Sequence, residues 1–341
     1  MPCPAAPVSR SMGSADKALE GLLSTYHDLN NAFVPRVPGP PTPLEFLQYV
    51  RRNQPVVFTG LMEGWGALER WNDRYLREKM EGCDIDVAVT PLGNADSIVS
   101  VDGVEHFVKP YTSSEPFSSF MDYIRSRHVN ASSTPPSIIK YAQSQDGNLG
   151  KEFAALAPDL PSSLAFADSA LLSTPDAVNV WIGNSDSTSA LHKDNYENLY
   201  CQVLGKKSFV LLSPLEGICV REKSLPVASY DSQGKVAVEK GQSVNGWPSV
   251  DPDVGHCGKW WGKARPMRVE LHRGEVLYLP ALWYHKVSQE EGDEGICCAV
   301  NYWYDMDFEG PFYSMVQFVR DCAKDCETLE GGDEQEEHGS R

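Results

Sequence analysis

No run of apolar residues in this chain approaches the ~20 that a membrane-spanning helix needs. The opening stretch MPCPAAPVSRSMGSADK lacks the apolar core of a secretory signal. No glycine follows the first methionine and no prenylation box closes the chain, so neither common lipid anchor is expected. Positive charge is also scarce. Lys and Arg number 30 against 47 Asp and Glu, a formal net charge of −17. That balance argues against nucleic-acid recognition, which needs a basic surface to meet phosphates, and suits a basic protein partner. The nine cysteines are an odd number and form no C-x-x-C. A zinc cage or a disulfide framework is therefore not expected, and free thiols in a reducing compartment are: the cytoplasm, with the nucleus as a second location. A glycosylation sequon at Asn130-Ala-Ser132 would go unused there. H-E-x-x-H, a G-x-S-x-G elbow and a catalytic-cysteine signature are all missing, which leaves hydrolysis without a recognisable nucleophile. There is no internal repeat.

What the chain does have is 341 residues, 41% of them apolar and 23% charged, enough for one large globular domain. Residues 1–13 read as disordered and 329–341 as an acidic, solvated tail. Residues 14–328 read as a single domain with a core over roughly 137–310. Leu19, Leu22, Leu23 and Tyr26 share one face of a helix from Ser14 to Asn30. Thr42-Pro43-Leu44-Glu45 is a capping box with proline at the first helical position. Strand signals then dominate. PVVFTG is an apolar run, CDIDVAVT alternates, and SIVSVDGVEHFVKP holds a hairpin about Asp102-Gly103. LYCQVLGKKSFVLLSP reads as a strand, a Gly-Lys turn and a returning strand. Residues 215–267 read as an irregular surface insertion, and a last helix runs from about Phe312 to Glu330. Many short strands with tight turns predict a mainly β, double-sheet barrel with N- and C-terminal helical decoration.

The chemistry is carried by SALHKDNYENLY, residues 189–200. His192 and Asp194 are two apart, so an extended backbone points both to one side. That is either a surface pair or two of three metal ligands. A third candidate is His285, at the end of the strand-like GEVLYLPALWYH. Two imidazoles and one carboxylate make the facial triad that holds non-haem Fe(II) while leaving coordination positions open. A structural metal would be closed by four ligands instead. Lys207 follows His192 by fifteen residues. Spacing alone leaves it either decorating a turn or meeting an anion inside the barrel, where a bare cation would be costly.

LHKDNYENLYCQVLGKKSF and GEVLYLPALWYHKV…CAVNYWYD resemble the JmjC family of Fe(II)- and 2-oxoglutarate-dependent oxygenases, and PPTPLEFLQYVRRNQPVVFTGLMEGWGALERW, VAVTPLGNAD and DAVNVWIG fit its lysyl-hydroxylase branch. The similarity runs from about residue 15 to residue 325. It implies a double-stranded β-helix (jelly roll, cupin) core and iron held by His192, Asp194 and His285. It implies that Lys207 pairs with the distal carboxylate of 2-oxoglutarate, helped by Tyr141. Ser189 stands where relatives usually carry threonine and keeps the hydroxyl. Tyr200 and Asn301 match positions lining the co-substrate pocket, though each is equally well a packed core residue. Trp283 and Trp303 read as core. The activity implied is (3S)-hydroxylation of a lysine on translation-associated GTPases, with O2 and 2-oxoglutarate as co-substrates. The terminal helices would suit a homodimer. Three other readings stand beside it: an endopeptidase for histone tails, an N-methyl-lysine demethylase, and a non-catalytic cupin-fold binding protein.

Overall fold

The computed structural model describes residues 13–129, 138–256 and 258–331. The expectations for residues 1–12, the sequon and residues 332–341 fall outside them. Helix α1 (Ser14–Leu29) buries Leu19 and Leu23, and a short β1 (Arg36–Pro38) leads to α2 (Pro43–Arg52). The capping box forms as the sequence predicts. The Glu45 N–H donates to the Thr42 hydroxyl, and the Thr42 N–H donates to the Glu45 carboxylate at 2.8 Å. Then come β2 (Val56–Thr59), α3 (Gly66–Arg70), α4 (Asp73–Lys79) and β3 (Asp84–Thr90). Strands β4 (Ser97–Val101) and β5 (Val104–Lys109) pair about Asp102 and Gly103, whose φ values of 50° and 82° are those of a two-residue hairpin turn. After β6 (Tyr111–Pro116), α5 (Phe117–Val129), β7 (Ile139–Tyr141) and α6 (Ala165–Leu171), the chain enters its main β region. This comprises β8 (Ala177–Gly183), β9 (Thr188–His192), β10 (Tyr196–Leu204), β11 (Lys206–Leu212), β12 (Glu222–Tyr230), β13 (Val236–Pro248), β14 (Met267–Leu271), β15 (Val276–Leu279), β16 (Tyr284–Glu290) and β17 (Cys297–Asp305). Helix α7 (Pro311–Gly331) follows.

Two sheets build the jelly roll. One has the order β1-β2-β15-β10-β17-β8 and the other β14-β11-β16-β9. Between them lies an interior cluster that draws Tyr200, Leu277, Ala299 and Trp303 from the first sheet and Phe209, Leu211, Val269 and Val287 from the second. The six-stranded sheet is also covered on its outer face, where Cys201, Tyr278, Val300 and Tyr302 pack against Phe46, Phe117 and Phe166 of the helices. A sheet buried on both sides reads as a nearly unbroken apolar run. That explains why eight of the nine residues of β17 are buried. The smaller sheet keeps a solvent face, so β14 alternates strictly between buried and exposed. Cys297 and Cys298 point to opposite faces, and Cys83, Cys201, Cys219, Cys297, Cys298 and Cys322 are free thiols.

Two expectations need correction. Lys206 and Lys207 do not follow a hairpin turn, because β10 and β11 belong to different sheets. Gly205, at φ 67°, carries the chain across the edge, and a Cβ there would sit 2.4 Å from the Glu290 carbonyl oxygen. Only glycine fits. Residues 215–267 are not irregular either. They contain β12 and β13, which extend the β4–β5 hairpin into a four-stranded sheet in the order β13-β12-β5-β4. Much of β13 is exposed, so its thirteen residues carry no apolar alternation to announce them. Pairing with β12, not burial, makes this segment a strand.

Phe46 is fully buried and meets Phe58, Phe166 and Tyr278 with ring centroids at 6.3, 5.1 and 4.9 Å. It pins α2 to the jelly roll. We expect Phe46→Ala to cost about 3–5 kcal/mol, measured as a lowered urea midpoint with unchanged m-value.

Candidate functional site

Antiparallel pairing of β9 with β16 sets His192 directly opposite His285, with a bulge just beyond. The two rings lie 4.1 Å apart between centroids. Strand β9 ends at His192, so Asp194 belongs to the following loop, not to an extended strand as the sequence predicts. Its backbone is fixed instead by its carbonyl, which accepts from the Leu282 N–H at 2.8 Å at the approach to β16. The Asp194 carboxylate then lies 3.9 Å from His192 Nε2 and 3.6 Å from His285 Nε2. These separations are too long for hydrogen bonds. They fall within the ~4.2 Å that two ligands can span when each is about 2.1 Å from one shared ion. All three ligand atoms lie within 4.8 Å of one another, and the group could hold a metal ion.

The rings are oriented for this. His192 Nδ1 lies 2.7 Å from the Ala190 carbonyl oxygen, and His285 Nδ1 lies 3.0 Å from that of Trp283. A carbonyl can only accept, so each Nδ1 carries a proton and each Nε2 is the atom that faces Asp194. Burial, reinforced by the neighbouring His192, depresses His285 from its ordinary 6.5 to about 4, against the opposing pull of Asp194 and the Trp283 carbonyl. The ring is therefore neutral at physiological pH, as a ligand must be. Lys193, between the two loop-side ligands, turns away. Its ammonium meets Glu222 at 2.7 Å, and Arg320 of α7 binds the other oxygen of that carboxylate at 2.7 Å. The network ties the Asp194 loop to the last helix.

A cavity of about 240 Å³ opens onto the triad. His192, Asp194, His285, Lys207, Ser189, Tyr141, Tyr200 and Asn301 all line it, so the structure gathers every residue singled out in the sequence. Lys207 is 2% exposed. Its ammonium donates to the Tyr141 hydroxyl and to Gln289 Oε1, each at 2.8 Å, and lies 5.2 Å from the Tyr141 ring centroid. Among the described residues no carboxylate lies within ion-pair distance of it. A buried cation without a counter-ion is costly and calls for an anionic ligand. Burial raises the Tyr141 and Tyr200 hydroxyls above their ordinary range, so both stay protonated donors. Gly183 makes room for this cradle. A Cβ there would stand 2.5 Å from Gln289 Nε2 and 2.7 Å from the Tyr141 ring.

Other expectations are refined. Asn301 lines the cavity, yet its Oδ1 accepts from Trp181 Nε1 at 2.8 Å and its Nδ2 donates to Asn198 at 3.2 Å, so it also braces the sheet. Trp283 is a core residue, its indole N–H bonded to Asn53. Trp303 is buried but also lines the cavity, and its indole N–H has no partner among the described residues. Gln289 escaped the sequence reading. Its signal was the two-residue period from His285 through Val287, all three buried on one side of β16. Asp96, Gln143, Trp181 and Trp247 escaped it too, because they come from distant elements.

Residues 42–310 match the cupin-like domain family. The chain belongs to the cupin-like JmjC proteins. It is 35% identical over 310 residues to the bifunctional peptidase and (3S)-lysyl hydroxylase JMJD7 of Homo sapiens, covering 86% of this chain and 94% of that one. It is 33% identical to JmjC domain-containing protein E of Dictyostelium discoideum, covering 83% and 87%. It is 32% identical to the lysine-specific demethylase JMJ32 of Arabidopsis thaliana, covering 86% and 88%. JmjC enzymes typically use Fe(II) and 2-oxoglutarate. The donor set suits that pair. Two imidazoles and a carboxylate leave a bound divalent ion with positive charge and open positions, and Lys207 offers an anion its counter-charge deeper in the cavity.

The depressed pKa of His285 has a thermodynamic consequence. As pH falls from about 6.5 to about 4, the unfolded ring takes up a proton that the folded metal-free protein refuses. Stability fully present above that window is lost within it. Urea midpoints of the metal-free protein should therefore fall between pH 7.5 and pH 5, and His285→Gln should flatten that slope.

Proposed function

We propose that this chain is an Fe(II)- and 2-oxoglutarate-dependent protein hydroxylase that acts at C-3 of a lysine, with translation-associated GTPases as its substrates. The observation that carries the reading is the pairing of an open three-ligand group with a buried lysine that has no anion of its own, both in one cavity. Similarity to a (3S)-lysyl hydroxylase supports the choice of side chain.

In this reading His192, Asp194 and His285 hold the iron. Lys207 and Tyr141 bind the distal carboxylate of 2-oxoglutarate. Gln289 holds the ammonium in place through its Oε1, and Ser189 adds a hydroxyl on the same wall. Tyr200 and Trp181 pack the cavity side and exclude water from the co-substrate's chain. When bound, iron, 2-oxoglutarate and O2 together supply the oxidising power that places one oxygen atom on a C–H carbon, with succinate and CO2 as the other products. The residues supply orientation, a counter-charge and a dry wall. A carbon that bears no nitrogen keeps the new hydroxyl, whereas an N-methyl carbon would be lost after hydroxylation. The position of the substrate therefore separates hydroxylase from demethylase.

The test is mass spectrometry of GTPase peptides incubated with the protein, Fe(II), 2-oxoglutarate and air. A gain of one oxygen atom on lysine, with stoichiometric succinate and its abolition in Asp194→Ala, is the expected result. A cut peptide without 2-oxoglutarate, or loss of a methyl group from a methylated one, would replace this reading.

Lys207→Met keeps most of the side-chain volume and removes the charge. It should weaken 2-oxoglutarate binding by about 2–5 kcal/mol, at least about thirty-fold. Because the lone buried charge disappears, the thermal midpoint of the ligand-free protein should hold or rise. Titration calorimetry and thermal melts of the same samples check both halves.

A further inference from the structure

Three carboxylates line the triad cavity and a second cavity of about 420 Å³ beside it. Asp194 faces the imidazoles. Glu239 is held by Lys109 at 2.8 Å and by the Ser229 hydroxyl at 2.7 Å. Asp96 makes no hydrogen bond and no ion pair among the described residues. It sits just ahead of β4 in a left-handed backbone conformation, φ 55°, and contributes to the walls of both cavities. Burial raises its carboxyl above the ordinary range, opposed mainly by the charges of His192 and Lys109.

The basic groups nearby are already engaged. Lys109 is committed to Glu239 and Lys193 to Glu222. A half-buried carboxylate without a hydrogen bond or ion pair is unfavourable, and His192 and Lys109 offset it only from beyond ion-pair distance. The deep part of the same cavity shows the mirror case, where Lys207 lacks an anion. Two unmet charges of opposite sign in one cavity describe two ligands. The deep one is anionic, and the one passing Asp96, where the two cavities meet, is cationic. Trp247 of β13 also faces the triad cavity, braced by Phe107 with ring centroids 4.5 Å apart. An aromatic face suits an alkyl stem ending in a cation.

We propose that Asp96 is the specificity residue that receives the cationic side chain of the protein substrate, with Trp247 packing on its stem. The assignment rests on the hydroxylase reading and deepens it: it names the residue that makes the enzyme choose a cationic side chain over a neutral one of similar length.

Asp96→Asn is the informative variant. Asparagine tolerates the left-handed conformation as aspartate does, so shape is kept and charge removed. Since Asp96 has no partner to lose, the variant should melt no lower than wild type. The probes are two synthetic peptide pools with randomised flanks, one with a central lysine and one with a central glutamine. Wild-type protein should oxidise the lysine pool in preference. Asp96→Asn should raise KM for that pool by about thirty-fold or more. Its quenching of tryptophan fluorescence by 2-oxoglutarate in the presence of Mn(II) should match wild type, which assigns the loss to peptide recognition. Asp96→Glu, which restores the charge, should recover part of the KM. An unchanged KM in Asp96→Asn overturns the assignment. So does wild-type protein that oxidises the two pools equally or neither of them while still turning over 2-oxoglutarate. If 2-oxoglutarate is neither bound nor consumed by wild type, the hydroxylase reading fails first and removes the basis for Asp96.

Discussion

The antiparallel register that sets His285 opposite His192 governs everything else in this cavity. Side chains alternate across a strand, so a slip of one residue would turn His285 outward and bring a neighbour in its place. The register is held from both sides. Strand β16 also pairs with β11 along its whole length, which places Lys207 opposite Gln289 and Leu211 opposite His285. One ladder thus fixes His285 and the depth of the Lys207 ammonium together. Their spacing along the cavity follows from strand geometry and not from any loop.

This arrangement leaves the protein with charges that it does not neutralise internally. Among the described residues the Lys207 ammonium is stabilised by the Tyr141 hydroxyl, the Gln289 carbonyl and aromatic faces. The triad brings a carboxylate and two ring nitrogens within 4.8 Å of one another, with the carboxylate 3.9 and 3.6 Å from the two Nε2 atoms, too long for hydrogen bonds. Asp96 adds a carboxyl group with no hydrogen bond or ion pair among the described residues. Each would be a defect in a structural domain. Together they suit a divalent cation, an anion and a second cation within one cavity. The folding free energy spent on each is recovered on ligand binding, through counter-charges already in position.

Much of this was legible in the chain itself. The capping box at Thr42, the hairpin at Asp102-Gly103 and the strand segments of the jelly roll depend on local backbone preference and on burial patterns, which a sequence displays. The triad was legible because His192 and Asp194 are close in sequence and His285 ends an apolar strand. What escaped had non-local causes. Gly205 looked like a hairpin turn because a crossing between sheets and a turn within one use the same residue types. Strand β13 was missed because solvent covers much of it and its partner β12 alone defines it. Trp303 reads as core by composition, and it is core on one side. Its unpartnered indole N–H is a fact of the space around it.

The sequence by itself determined which residue types were present for the chemistry, which segments were extended, and that the chain is rich in acid and poor in base. Those properties follow from local sterics, side-chain pKa and apolar periodicity, none of which needs a partner segment. Tertiary structure alone decided that Lys207 meets no carboxylate among the described residues, that Gln289 holds it, and that Asp96 reaches the cavity of a triad almost a hundred residues further along the chain. Desolvation and counter-charge depend on what surrounds a group in space, and that is set only when the two sheets close.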